Sequence, residues 1–156
     1  GGPPQAQLER DEAIAAVSLD ITPNSWCALT DPAKLRLSFV SRRALSGVKW
    51  SVNYVVDMSE NRGVATEVGE KAGMETYSEG QSSSVDLSAT FDALEAFPRN
   101  ALLNLATLEI LAVAEGTAGN SEEKEVLRLP VLAQVTADRQ GGDNAALKRI
   151  FLNPFS

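Results

Sequence analysis

The chain has 156 residues, 44% of them apolar and 22% charged, which is enough for one domain to bury its own core without disulfide or metal staples. Fourteen Lys and Arg against 21 Asp and Glu leave a net charge of −7, which opposes general binding to nucleic acid or anionic membranes. With no histidine and a single cysteine, Ser-His and Cys-His nucleophile pairs and the usual zinc ligand sets are excluded, so a non-enzyme without cofactor or metal is expected.

Gly1-Gly2-Pro3-Pro4-Gln5 reads as the start of a flexible tail reaching residue 13, with a single domain over 14–156. Leu8 to Val17 mixes a charged, alanine-bearing stretch with the alternating Val17, Leu19 and Ile21, and a strand is expected from about Ala15 to Ile21. Thr22-Pro23-Asn24 ends it. Ser25 to Pro32 is a loop holding Trp26, expected to plug one end of the fold, and Asp31-Pro32 starts a turn.

Leu35, Leu37 and Phe39 alternate with Lys34, Arg36 and Ser38, the signature of a half-buried strand. From Val48 the pattern is cleanest. Val48, Trp50, Val52, Tyr54, Val56 and Met58 take one face, and Lys49, Ser51, Asn53 and Asp57 the other. Ser59 to Gly63 turns the chain into a short strand, Val64 to Val68. Glu70 to Ser84 is a polar connection with room for an edge strand near Glu75 to Tyr77.

Val85, Leu87 and Ala89 begin another strand leading to Phe91. Asp92 to Asn104 is locally helical but interrupted at Pro98. Leu105 to Val113 is a strongly apolar strand, and Glu115 to Glu123 a hairpin-like loop. Glu125 to Val135 returns, with Pro130 implying an edge position or a bulge. Gly141-Gly142 ends the sheet region, and Ala145 to Leu152 is expected to form a final helical turn. About seven to eight strands without βα alternation predict an all-β, immunoglobulin-like sandwich.

Candidate chemistry is sparse. Neither of the usual Gly-rich phosphate cradles occurs. Asp57, Ser59 and Asn61 mimic the start of a calcium loop, but Arg62 stands where glycine is needed and Val68 where the closing Glu should be. Glu122, Glu123 and Glu125 read as a solvated charge run beside Lys124, and Ser82-Ser83-Ser84 lacks a base to activate it. Arg42-Arg43 and Lys148-Arg149 read as surface charge. No apolar run approaches the ~18 residues of a membrane span, and no charged-then-apolar leader opens the chain. Cys27 alone allows no intrachain disulfide, which suits a reducing compartment, nucleus or cytoplasm. Asn153-Pro154-Phe155 matches the short NPF ligand of EH domains in membrane trafficking.

Taken in order, several segments resemble the anti-silencing-function histone chaperones, an immunoglobulin-like family. Thr30-Asp31-Pro32 with Leu35-Arg36-Leu37-Ser38-Phe39 is similar to its Asn-Pro turn and Phe-rich second strand. Val48-Lys49-Trp50 through Tyr54-Val55 resembles its Leu-Glu-Trp…Tyr-Val strand, and Phe97-Pro98 stands near the place of its Ile-Pro pair. Thr107-Leu108-Glu109-Ile110-Leu111, Glu125-Val126-Leu127-Arg128-Leu129 and Leu147-Lys148-Arg149-Ile150 are similar to three later segments. Val131-Leu132 stands where the family has Tyr-Tyr, and its Asn-Asn-Glu-Tyr sequence is absent. The resemblance implies a protein-binding module, monomeric outside its complex, taking a histone or other basic partner in an edge-strand groove. It places partner contacts at Leu108, Ile110, Arg128 and Leu132. An alternative is an adaptor or scaffold subunit of a cytoplasmic trafficking or ciliary complex, for which an accessible Asn153-Pro154-Phe155 tail would speak.

Overall fold

Alternating apolar and polar residues at period two dictate strands, and a computed structural model shows strands through most of the described residues. The structure describes residues 12–56, 63–116, 123–137 and 146–155. In chain order these carry β1 (Ile14–Thr22), β2 (Cys27–Ala28), β3 (Ala33–Ser41), β4 (Leu45–Val56), β5 (Val64–Glu70), β6 (Glu75–Tyr77) and β7 (Ser82–Ala89). A 3-10 turn (Asp92–Ala96) and a one-turn helix α1 (Arg99–Leu102) follow, then β8 (Asn104–Ala114), β9 (Lys124–Ala137) and β10 (Leu147–Leu152).

The strands form two antiparallel sheets. One has the order β1-β3-β7; the other runs β2-β10-β9-β8-β4-β5, with β6 paired to β4 as well. Their inner faces meet in a core of aliphatic residues and a few rings. Leu35, Leu37 and Phe39 from the small sheet face Val52, Tyr54, Leu108 and Ile110 from the large one, all essentially without exposure. Phe39 stacks at 5.2 Å from Trp50 and edge-on at 5.0 Å from Tyr77. The Trp50 indole N–H donates to the Tyr77 hydroxyl at 3.0 Å, so the polar ends of both rings are satisfied inside. The all-β sandwich predicted from the sequence is the architecture found.

Three local expectations change. The stretch expected as a final helical turn is strand β10, because Leu147, Arg149 and Phe151 alternate inward and pair along β9 from Ala137 to Ala133. Backbone pairing to a waiting edge outweighs the local helical preference of Ala145 to Leu152. The loop from Ser25 contains β2, whose two residues pair with Lys148 and Arg149. Trp26 is 47% exposed and does not plug the sandwich. The break at Phe97-Pro98 falls where the proline placed it, between the 3-10 turn and α1.

The two long seams between the sheets differ. At one, the Thr90 N–H just beyond β7 donates to the Val68 carbonyl of β5 at 2.9 Å. Gly69 makes this approach possible, since a Cβ there would collide with the Ser88 carbonyl oxygen. At the other, β1 is an edge strand lying opposite β9, and among the described residues no backbone hydrogen bond joins the two.

Candidate functional site

The open seam holds a groove of about 330 Å³. Glu12, Ile14, Ala15, Ala16 and Arg42 form one wall, and Glu125, Val126, Leu127 and Arg128 the other. Ile14 and Val126 are buried beneath it, and charged side chains form its rim. The β1 wall also offers backbone. The Arg42 N–H donates to the Ala13 carbonyl at 2.7 Å, and Ile14, Ala15 and Ala16 lie opposite Ser41, Val40 and Phe39. In an antiparallel ladder, bonded and non-bonded pairs alternate, so Ala13 and Ala15 bond to β3 while Ile14 and Ala16 aim N–H and C=O at the free edge. A bulge at Val17, which is 56% exposed, ends this regular stretch.

The rim charges are arranged in pairs. Arg42 lies 3.9 Å from Glu12, and both side chains are largely exposed, so the pair contributes little to stability. Arg128 Nη1 donates to Glu109 at 2.9 Å while its Nε donates to Glu125, which pins the guanidinium flat against the outer face of β8 and β9. This geometry can bind backbone and apolar side chains of an extended segment. Among the described residues no group of three His, Cys, Asp or Glu side chains is placed to hold a metal ion.

The four partner residues implied by the family resemblance are divided by the strand pleat. Arg128 lines the groove, and Leu132, 42% exposed, sits on the outer face of β9. Leu108 and Ile110 are at 0% exposure on β8, which is flanked by β9 and β4, and they belong to the core. They are not surface residues in this fold, because Leu105, Thr107, Glu109 and Leu111 take the outward positions of the same strand. The signal was in the sequence: the face carrying Thr and Glu is the one that can meet water. Leu132 lies beside Leu152 of β10 and Thr107 of β8, and through Thr107 the row continues to Val55 and Ala65.

Asn153-Pro154-Phe155 is not a loose tail. Asn153 Nδ2 donates to the Leu19 carbonyl at 2.6 Å, and its Oδ1 accepts from the Phe155 N–H at 2.9 Å. The calcium-like Asp57, Ser59 and Asn61, the Glu122 carboxylate and Gly141-Gly142 lie outside the described residues. Glu123 meets Lys49 at 3.3 Å and Glu125 meets Arg128, which fits the reading of a charge run.

Sequence reasoning missed Arg149. It is wholly buried, not surface charge. Its Nη1 donates to the carbonyls of Ala28, at 2.8 Å, and Leu29, while the guanidinium carbon lies 4.5 Å from the Phe91 ring centre and 4.7 Å from that of Phe151. No carboxylate touches it among the described contacts; two rings and two carbonyls replace only part of its hydration, and Nε and Nη2 are buried without a hydrogen-bond partner among the described residues. Burial holds its pKa below the usual arginine value, offset in part by Cys27, Asp31 and Tyr54. The inward parity it shares with Leu147 and Phe151 was the available signal. Burial also pushes the Cys27 thiol up, with Arg149 opposing and Asp31 reinforcing, which disfavours the reactive thiolate.

No family model and no curated protein matches the chain. Among solved structures, the sporulation control protein Spo0M from Bacillus subtilis is similar at 10% identity with a TM-score of 0.39, over 74% of this chain and 49% of that one. The matched region therefore spans about half of Spo0M.

Proposed function

We propose that this chain is a protein-binding module, without catalytic activity, that takes an extended segment of a basic partner into the open seam between β1 and β9. The observation that carries this reading is the unpaired β1 edge beside a groove with a charged rim. Strand addition at such an edge draws affinity from main-chain hydrogen bonds and specificity from side chains entering the groove. The net charge of −7 would steer a basic partner and set the on-rate, with apolar burial supplying most of the affinity. Core histones are the partner class that the anti-silencing-function resemblance implies, and a nuclear or cytoplasmic setting accompanies that reading.

The test is co-elution with core histones on a sizing column at low and moderate salt, for the native chain and for Ala16→Pro. The substitution deletes an N–H aimed at the free edge and spares the β1–β3 bonds made by Ala13 and Ala15. A stoichiometric complex that survives moderate salt and is lost in Ala16→Pro supports the proposal. A complex lost at moderate salt is charge attraction alone and refutes histone binding by this groove. Leu108→Arg is uninformative here, because it would place a charge in the core.

The burial of Leu108 and Ile110 favours a second reading, an adaptor subunit of a cytoplasmic assembly. With those two residues inside, the apolar strip expected of a histone chaperone is not presented to solvent. A cytoplasmic partner retained in the same salt series and released by Ala16→Pro would establish that reading.

A further inference from the structure

The geometry points to Asn153-Pro154-Phe155 as a preformed turn ligand, a projecting phenylalanine that a second protein receives in an apolar pocket. Independently of the open seam, three observations converge on it. The turn is built by its own side chain, the Phe155 N–H donating to Asn153 Oδ1 at 2.9 Å, with Pro154 fixing the backbone between them. It is anchored to the body, since Asn153 Nδ2 donates to the Leu19 carbonyl of β1 at 2.6 Å. The ring is partly exposed, at 42%.

Phe155 is one of several exposed apolar side chains, less exposed than Trp26 or Leu105, and what sets it apart is that it stands on a turn closed and anchored by hydrogen bonds. Aromatic side chains on pre-organised backbone bind with little ordering cost, and they are the residues that fill partner pockets at the centre of interfaces. Leu152, 41% exposed, and its neighbour across the strand pair, Leu132, extend the apolar surface beside the turn. The partner class is a domain with a ring-sized apolar pocket and hydrogen-bonding groups for an Asn-Pro turn, the chemistry shared with the EH-domain ligand noted in the sequence.

The experiment is calorimetric titration of the native chain, of Phe155→Ala and of Leu105→Ser with a purified EH domain, beside a synthetic peptide covering residues 152–156. Expected are one-to-one binding by the native chain, a loss of at least about tenfold in Phe155→Ala, and no change in Leu105→Ser, an exposed site elsewhere on the outer face. The peptide should bind about tenfold more weakly, because it must order the turn on binding. Native binding no tighter than that of Phe155→Ala overturns the ring as anchor. A peptide equal to the native chain overturns the preformed turn.

Discussion

Where β5 meets β7, a backbone hydrogen bond crosses between the sheets and a glycine lets the two strands touch; where β1 faces β9, charged side chains line a gap above buried Ile14 and Val126. Both seams join a small sheet to a large one, and both are flanked by residues of ordinary β propensity. The difference lies in what each strand puts next to the other sheet. Gly69 offers no side chain, so main chain approaches main chain. β1 offers Ile14 to Ala16 and then a bulge at Val17, which turns the strand before a second ladder can form. A sandwich can thus satisfy one edge internally and leave the other available to a partner.

The widest contrast should appear in native-state hydrogen exchange. The Thr90 amide, bonded to Val68, is expected to exchange only in near-global opening, about 5 kcal/mol or more above the native state. The Ala16 amide, aimed at the open edge and only partly buried, should exchange with far less protection. Similar protection at both places would mean that the open seam is already closed in solution.

Next in size is Gly69→Val. The new side chain meets the Ser88 carbonyl, which backbone cannot easily move away from, and a loss of about 3 kcal/mol in urea denaturation is expected. A loss below ~0.5 kcal/mol would show that the closed seam has slack.

The smallest effect is a pH dependence tied to the end of the closed seam. Tyr54 packs edge-on against Phe91, 5.8 Å away and just past β7. Burial pushes its phenol up to about 12, with Arg149 opposing. Because the folded value is raised, the stabilisation is fully present below the ordinary value near 10 and is lost as pH rises through about 12. Roughly 2 to 3 kcal/mol is at stake. Burial raises Tyr77 as well, so ultraviolet titration should show neither of the two tyrosines ionising near pH 10. A phenol ionising there in the folded chain would place one ring in water.

Much of the fold was legible because a half-buried strand writes its burial into every second residue. β3 and β4 were readable this way, and so was β8, whose sequence even distinguishes its two faces. Pro130 implies an edge position or a bulge, and it lies on β9 beyond the end of β10, while the β9 bulge falls elsewhere, opposite Ala112 and Val113. β10 was not legible, because a six-residue segment with good helix formers becomes a strand only when a partner edge exists. The site was less legible than the fold. Edge position depends on which strands fail to pair, and nothing local to Ile14 or Ala16 announces that β9 lies opposite without bonding. Arg149 was hidden for a related reason: its two carbonyl partners and the Phe91 ring lie more than fifty residues away along the chain.

The bracket around Arg149 also orders events during synthesis. The Ala28 and Leu29 carbonyls emerge early, the Phe91 ring midway, and the guanidinium that joins them comes 121 residues after Ala28. Until that strand leaves the ribosome, the first loop has two acceptors and one aromatic wall with nothing between them. The nascent domain can therefore collapse but cannot finish its sandwich until a contact 121 residues long is made. Contacts of such long separation form slowly, so the Arg149 bracket is among the last parts of the sandwich to close.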